Sequence, residues 1–262
     1  MVNEIREFIH LDYDGHIAVL TLTNPPVNVL SDQVITDLDS AIGEVDRSEN
    51  VRAIVLRAAG EKAFAAGADI GQFPSLTKET GIQLVEKGKR VFDKLAESRV
   101  PVICAIQGLS LGAGLELALA CDIRIVEEDA KLGLPETGLG ILPGYAGTQR
   151  LSRLVGLGKA KEIVLSGVLL SGQEAYEARL AERVVPKGQA YSAAKILAGK
   201  IAAKGPIAVA NAKKAINEGY DLPLPEAQNL ETRMFSELVE TQDMQEGVKA
   251  FKEKRTAVFQ GK

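Results

Sequence analysis

Histidine is almost absent from this chain of 262 residues, which contains only His10 and His16. A metal site built from histidines is therefore close to excluded, and a catalytic histidine would have to come from the N-terminal edge. Both residues fall in a segment with the pattern of a β-hairpin, where a histidine is more often a surface residue than a catalyst. If the protein is an enzyme that transfers protons, we expect carboxylates to do so.

Cysteines and long apolar runs are scarce as well. The two cysteines, Cys104 and Cys121, have apolar neighbours and no Cys-x-x-Cys spacing, which predicts two buried, reduced thiols. The longest stretch without a charge, 100–115, contains a proline and three glycines, and it is shorter than the ~20 apolar residues of a membrane helix. The first residues form no apolar signal core and carry two glutamates. We therefore expect no membrane segment, no targeting peptide and a cytoplasmic location.

Neither sign of charge dominates the composition. The chain has 31 Lys and Arg against 35 Asp and Glu, a net charge of −4. This balance disfavours a nucleic-acid partner, and an anionic ligand would need a local basic cluster. Hydrophobic residues at 46% and charged residues at 25% are typical of a globular protein.

Apolar periodicity predicts an α/β fold. The predicted strands cover 5–12, 17–23, 51–56, 101–106 and 123–126, and the helices between them cover 31–45, 78–97 and 112–120. Strands that alternate with helices favour parallel pairing, and glycine- and alanine-rich loops are expected at 58–71 and 108–114. Helical patterns dominate after Thr148. We therefore predict a core over 1–195 that holds the site and a helical region over 196–262.

Two glycine motifs in one segment point to other enzyme classes, and neither is complete. Gly108–Gly112 matches Gly-x-Ser-x-Gly with Ser110 as the nucleophile, but a serine hydrolase needs a downstream histidine, and none follows His16. The overlapping Gly112–Ala118 resembles a degenerate dinucleotide fingerprint, which normally lies in the first strand–helix unit. Here the motif lies mid-chain. We therefore favour the interpretation that its glycines allow close packing over the interpretation that they bind NAD in an oxidoreductase.

Two glutamates lie in segments that are otherwise nearly apolar. Glu116 is the single charge in 115–120, and Glu136 is the single charge in the glycine- and proline-rich stretch 132–144. A carboxylate in such surroundings costs free energy unless it is exposed or functional. From the residues alone, a functional role for each glutamate is as consistent as a structural one. The structural alternatives are a solvent-facing Glu116 and a capping Glu136.

The predicted helix geometry adds a possible anion site. If the helix begins near Gly112, the amide of Ala113 is free of helical hydrogen bonds, and Glu116 lies on the same face three residues later. The loop 65–69 can offer a second amide from the end of a parallel strand. Two amides that meet on one oxygen form an oxyanion hole, which would suit a thioester carbonyl that becomes an enolate.

Four motifs, taken in order, resemble the enoyl-CoA hydratase (crotonase) family. They are Phe64–Ile70, Ala105–Leu117, Cys121–Arg124 and Pro135–Leu151, and the resemblance extends over essentially the whole chain, including Pro25–Asn28 and Phe251–Arg255. The motifs are highly specific for the superfamily. They are less specific for the reaction, because the fold hosts several CoA-thioester chemistries.

The resemblance implies a crotonase-like spiral of ββα units followed by helices that assemble a homotrimer or homohexamer. It implies that Ala68 and Ala113 form the oxyanion hole and that Glu116 and Glu136 are the two catalytic carboxylates. It implies that Ala66, Asp69 and Ile70 bind the CoA adenine and that Gly144 binds the water. It also implies that Lys254 and Arg255 approach the CoA phosphates, in some cases those of a neighbouring subunit's substrate. Hydratases often carry glycine at position 113, and an alanine there preserves the backbone donor.

The sequence therefore predicts an enoyl-CoA hydratase that converts a 2-trans-enoyl-CoA into a 3-hydroxyacyl-CoA. By resemblance, Glu116 activates the water and Glu136 delivers a proton to C2. No metal or redox cofactor is expected, since CoA is part of the substrate. An enoyl-CoA isomerase, which typically keeps only the carboxylate that matches Glu136, is the alternative within the fold. A non-catalytic acyl-CoA-binding protein is the alternative of another class.

Overall fold

The computed structural model describes residues 6–262, apart from the side chain of Gln72. The strands are β1 (Ile9–Asp14), β2 (Ile17–Leu22), β3 (Ala53–Ala58), β4 (Ala63–Ala66), β5 (Val102–Ile106), β6 (Leu109–Leu111), β7 (Ile123–Glu127), β8 (Lys131–Gly133), β9 (Leu170–Ser171) and β10 (Arg183–Val185). The first helices are α1 (Asp32–Arg47), α2 (Lys78–Ala96), α3 (Ala113–Leu119), α4 (Gly147–Val155) and α5 (Leu157–Ser166). The later ones are α6 (Gly172–Glu177), α7 (Ala190–Ala202), α8 (Pro206–Gly219), α9 (Leu224–Leu238) and α10 (Gln242–Glu253), and 3₁₀ helices lie at Ile70–Ser75 and Pro135–Leu139.

The strands form two sheets. The larger has the order β1-β2-β3-β5-β7-β10 and is parallel except for the β1–β2 hairpin. The smaller has the order β4-β6-β8-β9, with β4, β6 and β8 parallel. Successive units place one strand in each sheet and then a helix, as in β3-β4-α2 and β5-β6-α3. The expected spiral of ββα units is therefore confirmed.

Local sequence explains why the longer elements form. The Ser31 side chain accepts a hydrogen bond from the amide of Val34 and caps α1. Apolar residues three and four positions apart, such as Val34, Leu38 and Ile42, then face the core and are fully buried. β5 is a continuous apolar run, and β3 is apolar except for Arg57, because both faces of these strands are covered.

The larger sheet is covered on both faces. One face contributes to the main core, which also includes α1, α2 and α3. Small residues of α7, among them Ala190, Ala194 and Ala198, pack against Val55 and Ile103 on the other face. The predicted boundary between residues 195 and 196 lies within α7, and the division of the chain there stays a prediction.

Several short elements differ from the sequence prediction. The first strand covers 9–14 instead of 5–12, so the hairpin turn is reduced to Gly15–His16. Residue 5 lies outside the described residues. The loops expected at 58–71 and 108–114 contain β4 and β6, and α4 was not predicted. These strands have three or four residues, too few for a periodic pattern to show.

The scarce residues lie away from the interior cavity described below. His10 and His16 are exposed on the hairpin, while Cys104 and Cys121 are buried free thiols, as predicted. Among the described residues, no helix combines the length and the apolar character that a membrane crossing requires.

Candidate active site

The parallel pairing of β4 and β6 brings two loops together. Ala66 pairs with Leu111 at the carboxyl ends of these strands, so the residues that follow them lie at one sheet edge. Gly67 and Gly112 both have positive φ, at 93° and 53°, a conformation that favours glycine. A Cβ atom on Gly112 would lie only 3.7 Å from Gly67 Cα. The backbones that lead into Ala68 and Ala113 are therefore adjacent.

Close packing fixes α3 against β4. A Cβ atom on Gly114 would lie 2.0 Å from the carbonyl oxygen of Ala65, so only glycine fits between the helix and the strand. The helix begins at Ala113, one residue after the predicted start near Gly112. Because Ala113 occupies the first turn, its amide has no partner within the helix.

A cavity of about 900 Å³ opens at this sheet edge. Its walls come from the ends of β4 and β6, from α2, and from the segment that follows β8. Eight of the residues predicted from the sequence to form the site line it: Ala66, Ala68, Asp69, Ile70, Ala113, Glu116, Glu136 and Gly144.

Glu116 is 2% exposed and is held by two backbone amides. Its Oε1 accepts hydrogen bonds from the amides of Tyr145, at 2.8 Å, and Gly147, at 2.7 Å. Ala146 between them has a left-handed backbone with φ of 75°, which allows both amides to turn toward one oxygen. A Cβ atom on Gly147 would lie 2.8 Å from that oxygen.

Glu136 faces the same cavity from the 3₁₀ helix that begins at Pro135. A Cβ atom on Gly112 would lie 3.1 Å from Glu136 Oε1, so the carboxyl group sits over the residue that precedes Ala113. Its Oε2 is buried and has no hydrogen-bond partner in the part of the chain that the structure describes. A buried oxygen without a donor favours the protonated form of a carboxyl group.

Burial changes the acidity of both glutamates. Desolvation raises the pKa of Glu116 to about 7; the negative charge of Glu136 adds to this, while the amides of Gly147 and Tyr145 oppose it. Desolvation also raises the pKa of Glu136. The charge of Glu136 therefore disfavours ionisation of Glu116. Two carboxyl groups with raised pKa in one cavity can supply the base and the acid that proton transfer needs.

Comparison with known proteins gives the relationship directly. The profile of the enoyl-CoA hydratase/isomerase family matches residues 12–262. The chain belongs to this family. A short-chain-enoyl-CoA hydratase of Clostridium acetobutylicum is 39% identical over 246 residues, 94% of each chain. A crotonyl-CoA hydratase of Syntrophomonas wolfei is 37% identical over 254 residues, which cover 97% of this chain and 98% of the relative.

The crotonase fold is confirmed by solved structures. The crystal structure of an enoyl-CoA hydratase from Bacillus anthracis matches with a TM-score of 0.95 and 40% identity, over 98% of this chain and all of the other. Membership of the enoyl-CoA hydratase/isomerase family identifies the protein as an enzyme and implies an acyl-CoA thioester as its substrate.

Two residues predicted for this family's substrate site lie away from the cavity. Arg255 donates to Glu246 through Nη1 and Nη2, at 2.6 and 2.8 Å, and to Glu253 through Nε at 2.7 Å. Lys254 occupies the left-handed position that ends α10. Neither residue lines the cavity of its own chain, so a contribution to the site of a neighbouring subunit stays a prediction.

The hydrolase alternative finds no support in the structure. Ser110 lies in β6 with its side chain fully buried, and its Oγ has no hydrogen-bond partner among the described residues. No base is therefore available to activate it. Within residues 6–262, no group of three or more His, Cys, Asp or Glu side chains is arranged to hold a metal ion.

Sequence reasoning missed the residues that hold Glu116. The amides of Tyr145 and Gly147 are 29 and 31 positions away, and backbone donors leave no side-chain signature. The glycine-rich character of 138–147 was the available signal, since glycine marks a close approach of backbone to another group.

Proposed function

We propose that the protein is an enoyl-CoA hydratase, which adds water reversibly to a 2-trans-enoyl-CoA and forms a 3-hydroxyacyl-CoA. The observation that carries this proposal is the pair of buried carboxyl groups, Glu116 and Glu136, that face one cavity beside the amides of two strand ends. The relatives named as hydratases support it.

The thioester oxygen would lie between the amides of Ala68 and Ala113. Both residues line the cavity at adjacent strand ends. Backbone donors placed there stabilise negative charge as the carbonyl becomes an enolate, and they need no reorganisation during the reaction. With the thioester oxygen in this position, C2 and C3 of the substrate would lie beside the carboxyl groups of Glu116 and Glu136.

Water addition then requires one base and one acid. Glu116, held by two amides, accepts a proton from water while the water oxygen bonds to C3. The electron pair of the C2–C3 double bond moves through C2 onto the thioester oxygen. Glu136, whose unpartnered oxygen favours the protonated form, delivers its proton to C2 as the enolate collapses. Transfer of the proton from Glu116 to Glu136 then restores the starting state, with Glu116 ionised and Glu136 protonated.

An isomerase is the alternative within the family. Such an enzyme moves a double bond by proton transfer and typically needs only the carboxylate that matches Glu136. The two amides on Glu116 Oε1 favour the hydratase, because they hold a second carboxylate in the cavity that an isomerase would not use.

Incubation with crotonyl-CoA tests the proposal. We expect loss of the conjugated enoyl-thioester absorbance and a product heavier by one water. Glu116→Gln and Glu136→Gln should each lower turnover by about 10²–10⁴-fold and leave CoA binding, measured by calorimetry, nearly intact. Conversion of a 3-enoyl-CoA into the 2-enoyl isomer without hydration would assign the isomerase instead, and CoA binding without any turnover would indicate a binding protein.

We also propose that the C-terminal helices assemble a trimer or a dimer of trimers. Helices α8 to α10 expose large apolar side chains, including Ile216, Leu224, Phe235, Val248 and Phe251. An exposed apolar surface of this kind marks an interaction site. Light scattering at micromolar concentration should give three or six times the mass of one chain, and a monomer would contradict the proposal.

A further inference from the structure

Tyr145 is the most buried large apolar side chain that lines the cavity in the part of the chain that the structure describes. It is 6% exposed, whereas the other large apolar residues that line the cavity in the described part of the chain are half-buried or exposed. Ile70, at 54% exposed, and Leu142, at 66%, mark the open side. The cavity therefore extends from an exposed apolar mouth to the buried Tyr145 ring.

One face of α2 forms the wall that leads to this ring. Leu84 and Val85 line the cavity, and Gly88 and Phe92 follow one and two turns later on the same side. A Cβ atom on Gly88 would lie 2.5 Å from Tyr145 Cε1 and Cζ, so the ring rests directly on the helix backbone. Phe92 meets the ring edge-on, with centroids 5.3 Å apart and planes at 84°. Gly88 and Phe92 hold the ring in this position.

The same residue is tied to the reaction centre. The Tyr145 amide donates to Glu116 Oε1, so the ring belongs to the residue that holds the water-activating carboxylate. The Tyr145 backbone is thereby fixed relative to Glu116, and its ring relative to α2. An acyl chain that extends from C3 along Leu84 and Val85 would meet the ring next.

We propose that the Tyr145 ring closes the inner end of the acyl pocket and sets the length of acyl chain that the enzyme prefers. The inference rests on the proposed hydratase function and extends it to substrate selection. Gly88 is the second residue that this arrangement requires, because the ring can pack directly against the backbone of α2 only where no side chain is present.

The test is a series of enoyl-CoA substrates from butenoyl to dodecenoyl, with kcat/KM measured for each. For Tyr145→Ala we expect the optimum to move to longer chains, with a gain of about fourfold for each additional methylene that the enlarged pocket buries. Tyr145→Phe keeps the ring and should keep the length dependence of the unmodified protein.

Gly88→Ala is the opposite change. The added methyl group should push the ring into the cavity and move the optimum to shorter chains. Gly199→Ala, in α7, adds the same methyl group where nothing lies within 4 Å, and it should leave the length dependence unchanged. If Gly88→Ala fails to fold, the comparison of Tyr145→Ala with Tyr145→Phe still decides the question.

Calorimetry with saturated acyl-CoAs of the same lengths separates this proposal from the proposed function. If no enoyl-CoA is hydrated but the preferred length still shifts in Tyr145→Ala, the hydratase function is wrong and the role of the ring stands. If the unmodified protein hydrates enoyl-CoA and Tyr145→Ala shows the same length dependence in both measurements, the role of the ring is overturned.

Discussion

Arg150 and Asp93 form an ion pair between α4 and α2, with 2.6 Å between guanidinium Nη2 and carboxylate Oδ1. Through Nη1, Arg150 also donates to the carbonyl oxygen of Tyr145 at 3.2 Å. The amide of that residue holds Glu116. Burial dominates the pKa of Glu116 and raises it, whereas the positive charge of Arg150 lowers it. Arg150 is therefore a positioning residue that also favours the ionised form of Glu116.

Arg150→Gln should move the acid limb of the pH profile. Glu116 must be ionised to accept a proton from water, so kcat/KM rises as pH increases through its pKa. Loss of the Arg150 charge raises that pKa further and shifts the limb to higher pH. Arg150→Lys keeps the charge and should restore most of the unmodified profile. If the acid limbs of Arg150→Gln and the unmodified protein coincide, the charge of Arg150 has no effect on the ionisation of Glu116.

Glu116 should make the fold less stable as pH rises. Its pKa of about 7 in the folded protein exceeds the ordinary value of 4.5, so between these values only the unfolded chain releases the proton. Stability therefore falls from about pH 4.5 to pH 7, by about 3 kcal/mol at 1.36 kcal/mol per unit. Glu116→Gln lacks this fall, so its stability relative to the unmodified protein should increase with pH.

Urea unfolding between pH 4 and pH 8 measures this difference. Glu231→Gln, at an exposed position of α9, is the matched control and should show no comparable change with pH. A constant difference between Glu116→Gln and the unmodified protein across this range would show that Glu116 has no raised pKa.

Gly114→Ala should destabilise the protein by about 1–3 kcal/mol, because an inserted methyl group forces close-packed backbones apart. The methyl group would meet the carbonyl oxygen of Ala65 and move α3 away from β4. Gly199→Ala, where the methyl group meets nothing, should instead stabilise by about 0.4–1 kcal/mol. Thermal unfolding of both variants compares them directly, and equal midpoints would contradict the close contact.

Lys254→Gln should raise KM for a CoA substrate at low ionic strength and leave kcat nearly unchanged. The phosphates lie far from the reacting carbons, so their binding affects ground and transition states alike. Salt should reduce the effect because exposed charges are screened. Lys200→Gln, on exposed α7 surface, is the control. Equal KM values for Lys254→Gln and the unmodified protein at low salt would place the phosphate site elsewhere. Arg255 is less available for phosphate binding because it is paired with Glu246 and Glu253.

Elements with a repeating pattern were predictable from sequence. The Ser31 cap and the buried positions of α1 follow from local chemistry and a period of 3.6 residues. The buried strands β3 and β5 follow from the apolar runs 53–56 and 102–106. The two isolated glutamates were recognisable as unusual because their neighbours are apolar, and the family resemblance supplied the roles that we propose for them.

The contacts around those glutamates were decided only by the tertiary structure. The three- and four-residue strands β4 and β6 carry too little pattern to detect, yet their parallel register brings Ala68 and Ala113 to one edge. The Tyr145 and Gly147 amides reach Glu116 across about thirty residues. Likewise, Gly88 accommodates the Tyr145 ring from a different element. Sequence periodicity reports which face of an element is buried, whereas the pairing of these loops depends on how separate elements pack together.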